Sequence, residues 1–221
     1  MSLNFPTAFT PLSSREMLWI LASYLTGCFT AGYYWTRWRT GQDIRQLGSG
    51  NVGARNVGRS LGPGGFTVTL LLDVAKGFLA VFLANALALR PEAVVASLVA
   101  VVVGHNWPLQ LRFHGGKGIA VSVGALFALD PLAVGSIIVV FAPVMLILRN
   151  FTLSGMLAYS LGPLVAFLCG LDKVEVAAMS FVAILVLLSH RKNIRQEIAR
   201  MAGAGVKAAP VQMHKGHHDE V

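Results

Sequence analysis

Charge is scarce in this 221-residue chain: Asp, Glu, Lys and Arg together make up 13% of it, about half the roughly 25% of an average soluble domain. That shortage excludes an ordinary water-exposed globule. Cysteine is scarcer still, with only Cys28 and Cys169 present, both inside apolar runs. No Cys-x-x-Cys or Cys/His spacing suggests a metal site, so both read as buried free thiols. The sequence also shows no paired carboxylates, no Ser-His-Asp set and no cluster of metal ligands. No metal and no cofactor are therefore expected.

Apolar residues are plentiful instead, at 55% of the chain, with a mean hydropathy of +0.64. Runs of about 20 apolar residues recur, which is what a helix needs to cross the hydrocarbon core. Seven segments are expected, at about 17–36, 66–89, 93–111, 118–129, 132–148, 152–170 and 174–189. Arg90-Pro91-Glu92, Asp130-Pro131 and Leu171-Asp172-Lys173 read as turns between them, the prolines stopping the helix before them. The first fourteen residues are polar and proline-bearing, so no signal peptide is expected. The fold class expected is an all-α integral membrane bundle of about seven helices. It forms one domain over residues 1–201, followed by a disordered cytoplasmic tail at 202–221. The tail histidines His214, His217 and His218 read as part of that solvated terminus.

The net charge is +8, and the cations are sorted along the chain. With the N-terminus outside, Arg37, Arg39, Arg45, Arg55, Arg59, Arg112, Lys117, Arg149 and the stretch from Arg191 onward fall inside, while Arg15, Arg90 and Lys173 fall outside. Cytoplasmic loops collect Lys and Arg, so the N-terminus is expected outside and the C-terminus in the cytoplasm. Aromatics do not interleave with a basic stripe, and nucleic acid is not an expected partner. Membrane lipids are.

Three polar patches interrupt the apolar runs. Residues 42–65, QDIRQLGSGNVGARNVGRSLGPGG, hold seven glycines with Ser49, Asn51, Asn56 and three arginines. Glycines let backbone N–H groups converge on one point, and arginine offers a fork that fits phosphate. Gly48, Gly50 and Gly53 also imitate a dinucleotide fingerprint with Asp73 downstream. The context fails, because QDIRQL is not a buried strand and Asp73 lies in a helix-length apolar run. The second patch, residues 104–118, GHNWPLQLRFHGGKG, sets Gly115, Gly116 and Gly118 around Lys117 just before a helix start, where anions are favoured. In the third, SHRKNIRQ (189–196), His190 and Asn193 share a face of a continuing helix. Within the second apolar run Asp73 and Lys76 lie three apart. They read either as an ion pair beneath the site or as direct substrate contacts. The three patches together describe a dianion site at a bilayer surface.

GSGNVGARN (48–56), LLDVAKG (71–77), GHNWPLQLRFHGGKG (104–118) and HRKNI (190–194) resemble the bacterial membrane acyltransferase family that moves a fatty acyl group from acyl phosphate to sn-glycerol-3-phosphate. The resemblance runs over about residues 17–200, in the right order. It implies lysophosphatidic acid and phosphate as products, the bacterial cytoplasmic membrane as location and an active site facing the cytoplasm. It also implies Ser49, Arg59, Lys117, His190 and Asn193 as the catalytic set. Arg59 and Lys117 would hold phosphates, aided by Gly48, Gly50, Gly53, Gly115, Gly116 and Gly118. Asn51, Asn56 and His105 would join substrate binding, with Asp73 and Lys76 in support. Either His190 or a substrate phosphate would take the hydroxyl proton. A transient contact with the soluble enzyme that makes acyl phosphate is left open. One departure stands out: the family's G-A-T-N is Gly53-Ala54-Arg55-Asn56 here. It leaves room for a divergent paralogue with another phosphorylated acceptor; separately, basic, glycine-rich loops would also serve a transporter of a phosphorylated anion.

Overall fold

The computed structural model describes residues 11–201, with side chains through 199; the expected tail at 202–221 and its three histidines lie outside the described residues. Among these, the chain forms helices α1 (Ser14–Cys28), α2 (Ala31–Thr40), α3 (Ala54–Ala86), α4 (Pro91–Asn106), α5 (Ile119–Leu129), α6 (Pro131–Leu148), α7 (Phe151–Leu168) and α8 (Lys173–Met201), with no strand. An all-helical chain satisfies its backbone within each element, as lipid requires. Five stretches are long and apolar enough to cross a membrane: Ala54–Ala86, Pro91–Leu111, Pro131–Leu148, Phe151–Leu168 and Lys173–Ala199. Their outward residues are apolar: Leu146, Ile147 and Leu168 are 79%, 78% and 74% exposed. The core lies inside, around Leu98, Val101, Val102, Val121, Leu126, Met179, Val182 and Val186.

The helix ends follow the local chemistry read from the sequence. Pro91 and Pro131 occupy the first turns of α4 and α6, where a missing N–H costs nothing. Asp130 and Asp172 accept from Leu132 N and Val174 N at 2.7 and 2.8 Å. Cys28 is buried as expected, whereas Cys169 caps the end of α7 and is exposed.

Two expectations are changed. The apolar segment 17–36 is not one helix, because α1 stops at Cys28 and α2 starts at Ala31. The carbonyls freed by the break find side chains from elsewhere. Lys76 Nζ donates to Gly27 O at 3.2 Å and Phe29 O at 2.7 Å, and Gln110 Nε2 donates to Cys28 O. The glycine-rich patch 42–65 is also not loop throughout. Helix α3 begins at Ala54 and kinks at Gly62, which sits at φ 77° and ψ −174° just before Pro63. A left-handed residue followed by one without an N–H breaks the helix while keeping the chain continuous.

Two helix crossings are built on glycine pairs. A Cβ on Gly27 of α1 would overlap Val101 O, and one on Gly104 of α4 would overlap Tyr24 O. Gly77 of α3 and Gly124 of α5 stand in the same relation to Val121 O and Val74 O. Small residues let helices in lipid approach backbone to backbone. These crossings fix α4 and α5, and so the segment 107–118 between them. Helix α5 has 11 residues, or about 16 Å of rise, roughly half the hydrocarbon thickness. The loop before its start borders a cavity.

Candidate active site

The three polar patches meet at one end of the bundle around a cavity of about 1070 Å³. The first patch contributes Ser49, Gly50 and Asn51; the second contributes Gly115, Gly116 and Lys117; the third contributes Asn193. Lys117 ties two patches together. Its Nζ donates to Asn193 Oδ1 at 2.5 Å, and its carbonyl accepts from Ser189 Oγ at 3.0 Å. Burial, then the nearby Arg55 and Arg59 charges, push the Lys117 ammonium below the ordinary lysine range. Desolvation and like charges both disfavour the cation.

The first loop is shaped by Asn56, which is 1% exposed. Its Nδ2 donates to Leu47 O at 2.9 Å, Asn51 O at 3.0 Å and Ile44 O at 3.3 Å, while its Oδ1 accepts from Ser49 N at 2.8 Å. The carboxamide is thus fully used inside the protein. Gly48, at φ 54°, rests against it and leaves no room for a Cβ. Arg45 joins this loop to the second: it is paired with Asp43 at 2.6 Å and donates to Leu111 O at 3.0 Å. The Arg45 guanidinium in turn holds the Asp43 carboxyl below the usual carboxylate range.

Other expected site residues do not line the cavity. Arg59 is exposed on α3, near enough to Lys117 to act on its charge. His190 is buried, and its Nδ1 donates to Val186 O at 2.8 Å. A carbonyl only accepts, so Nε2 is the basic nitrogen of a neutral His190. His105, Asn56, Gly48, Gly53 and Gly118 are not among the residues that line the cavity. Asp73 and Lys76 form a buried ion pair at 3.0 Å, with Lys76 also donating to His105 Nδ1 at 2.8 Å. The amides of Gly115 and Gly116 are already bonded to Asn106 O and His105 O, at 3.2 and 2.9 Å.

Sequence reasoning passed over several cavity residues: Gln46, Asn106, Arg112, His114, Ser189 and Gln196. Position within the patches was the available signal for them. Arg55 lies with its guanidinium carbon 4.7 Å from the Phe151 ring centroid, a cation–π contact joining α3 to α7.

Set beside known proteins, residues 17–200 match the family model described as glycerol-3-phosphate acyltransferase. A glycerol-3-phosphate acyltransferase 1 from Desulfitobacterium hafniense is 40% identical, over 82% of this chain and 90% of that one. A glycerol-3-phosphate acyltransferase from Desulforudis audaxviator is also 40% identical, over 78% and 86%. The crystal structure of PlsY (YgiH), an integral membrane glycerol 3-phosphate acyltransferase in its glycerol 3-phosphate form, superposes with a TM-score of 0.77. It shows 28% identity and covers 89% of this chain and 96% of that one. The lysophosphatidic acid form gives a TM-score of 0.75 at 27% identity, over 86% and 93%.

Proposed function

Since the chain belongs to the glycerol-3-phosphate acyltransferase family, we propose that it transfers a fatty acyl group from acyl phosphate to the sn-1 hydroxyl of glycerol-3-phosphate. The hydroxyl oxygen attacks the acyl carbonyl carbon, the carbon–oxygen bond to phosphate breaks, and lysophosphatidic acid and inorganic phosphate leave. Acyl phosphate is an activated mixed anhydride, so positioning and charge stabilisation suffice. The observation that carries this reading is Lys117, held by Asn193 and Ser189 at the meeting point of two patches in a cation-rich cavity. Lys117, with Arg59 close by, neutralises the phosphate charge, and Ser49 and Asn193 orient substrate oxygens. The hydroxyl proton goes to His190 Nε2 or to a substrate phosphate.

In this reading residues 1–201 act as one domain. The α1–α2 pair and α5 supply the two crossings beyond the five long helices, giving seven. The N-terminus lies outside and the C-terminus in the cytoplasm of a bacterial inner membrane, with the site facing the cytoplasm. Charge supports that orientation. Among the described residues the cavity end holds Arg37, Arg39, Arg45, Arg55, Arg59, Arg112, Lys117, Arg149, Arg191, Lys192 and Arg195 against Asp43 and Glu197. The other end holds Arg15, Arg90 and Lys173 against Glu16, Glu92, Asp130, Asp172 and Glu175. Positive charge belongs inside.

The test is the full chain in lipid, given labelled glycerol-3-phosphate with either palmitoyl phosphate or palmitoyl-CoA. Labelled lysophosphatidic acid from palmitoyl phosphate alone is expected. Product from palmitoyl-CoA alone would overturn the donor assignment. Folded protein giving no product from either would turn attention to other phosphorylated acceptors.

A further inference from the structure

The end of α8 carries Asn193 to the cavity with little apolar packing behind it. Among the described residues no α8 side chain beyond His190 is fully buried, and Ile194 is the partly buried apolar contact there. A helix end with so few buried contacts is placed by its polar bonds. Ser189, Asn193 and Glu197 follow at intervals of four and so share one face. Ser189 Oγ donates to Lys117 O at 3.0 Å, Asn193 Oδ1 accepts from Lys117 Nζ, and Glu197 Oε2 accepts from Asn150 Nδ2 at 3.0 Å. Asn150 is also the N-cap of α7, where its Oδ1 accepts from Leu153 N at 3.1 Å. One carboxamide therefore starts α7 and ties α8 down one turn beyond Asn193. The next residue, Phe151, receives the Arg55 guanidinium, and Glu197 is near enough to Arg55 for their charges to interact. Arg55 lies one turn before Arg59 on α3. The start of α7 thus meets both helices that carry Arg59 and Asn193.

From these contacts we propose that Asn150 and Glu197 are positioning residues for the transfer reaction, their hydrogen bond holding the end of α8 so that Asn193 keeps the Lys117 ammonium aimed. Neither residue lines the cavity, so both act through Asn193. The need for such a tie follows from the chemistry of lysine. Its ammonium rides on a flexible stem and takes its direction from what it donates to. If the end of α8 swings away, Lys117 loses that partner and its charge stays in the cavity without its alignment. Attraction for a phosphate survives such a change better than alignment of the reacting atoms does, so turnover should suffer more than binding. The inference rests on the proposed function for the reaction that reads it out, and on the geometry of α7 and α8 for the tie itself.

The test exchanges donor and acceptor in the full chain in lipid bilayers. Asn150→Asp keeps the α7 cap but removes the Nδ2 donor and sets a carboxylate against Glu197. Its kcat should fall about tenfold or more, with KM for glycerol-3-phosphate changing far less. Adding Glu197→Gln rebuilds the bond in reverse, the glutamine Nε2 now donating to the new carboxylate, and kcat should return to within about twofold of wild type. Thermal midpoints measured alongside separate this effect from unfolding. If Asn150→Asp does not fold, Asn150→Ser, which caps α7 but is too short to reach Glu197, takes its place. Wild-type kcat in the single variant, or a double variant as slow as the single one, would overturn the proposal. The second arm needs no turnover: magnetic resonance of nitrogen-labelled lysines, with the Lys117 ammonium assigned by its loss in Lys117→Arg. That signal should move in Asn150→Asp and return in the double variant, without any substrate. A Lys117 signal that never moves would refute the tie. A chain that acts on a different acceptor would still show the shift and its return, so a wrong reaction and a wrong positioning role give different results.

Discussion

At one end of the bundle Glu16 lies between Ser13 and Arg90; at the other, Lys117 lies between two glycine loops and Asn193. The Glu16 end is closed. Ser13 and Glu16 form a reciprocal cap, Arg90 reaches Glu16 at 2.9 Å, and Arg15 donates to Leu87 O at 2.9 Å. The Lys117 end is open: among the described residues it carries eleven cations against two carboxylates, and Arg45, Arg112, Lys117, Arg191 and Lys192 line a large cavity there with Asp43. The same lipid-embedded helices thus carry opposite electrostatic designs. At the closed end the buried Glu16 carboxylate is matched within the protein, by Arg90 and Ser13. A site for dianions must leave charge unmatched until substrate arrives, and so it contributes less to stability. The difference teaches where substitution should cost activity and where it should cost only stability.

The sharpest way to break the comparison is to remove charge from the open end. Lys117→Ala should lower kcat/KM by about 10²- to 10³-fold, as for loss of one transition-state donor, with the thermal midpoint nearly unchanged. A normally active variant would remove Lys117 from phosphate binding. His190→Ala should cost about 10²-fold if the imidazole is the base. If a substrate phosphate takes the proton instead, the loss is smaller and the alkaline and acid limbs of the rate profile stay where they were.

At the closed end the prediction reverses. Glu16→Gln should lower the thermal midpoint and leave kcat/KM within about twofold, because Glu16 lies at the far end of α1 from the cavity. Hydrogen bonds from Arg90 and Ser13 hold the Glu16 carboxyl well below the usual carboxylate range. A depressed folded value means that its stabilisation is present above the unfolded value, about 4.3, and is lost as pH falls toward the folded one. Wild type should therefore lose its advantage over Glu16→Gln on acidification below about pH 4.3, read as the difference in thermal midpoint. The smallest effect is expected at the edge of the open end. Arg55→Thr removes the contact with Phe151, worth about 0.5–1 kcal/mol at exposed positions, so kinetic constants should move by less than about tenfold. A larger change would make Arg55 part of the substrate site.

Much of this was legible from local pattern. Hydropathy marked the apolar helices, proline and aspartate marked their starts at Pro91, Pro131 and Lys173, and glycine with cations marked the three patches that meet at the cavity. The break at Phe29–Thr30 was not legible. A run such as LWILASYLTGCFTAGYYW carries no local stop, and the groups that take up its carbonyls, Lys76 and Gln110, lie 49 and 82 residues away. Nor could the sequence divide the polar residues of one motif. Ser49 and Asn56 sit seven positions apart in one glycine-rich stretch. One lines the cavity, and the other spends its whole carboxamide holding the loop.

Sequence alone settled the solvent of this chain: apolar runs of membrane-spanning length with so few charges have no stable home in water. It also marked three patches by residue types suited to an anion, glycines with arginine or lysine. The tertiary structure decided which way each polar group faces. It turned the Asp73–Lys76 pair toward the α1 break and His105, set His105 behind Gly116, and left Lys117 and Asn193 at the cavity. Those outcomes rest on hydrogen bonds between residues 29 to 76 positions apart, and a periodic pattern that encodes the face of one helix holds no information about which partner that face will meet.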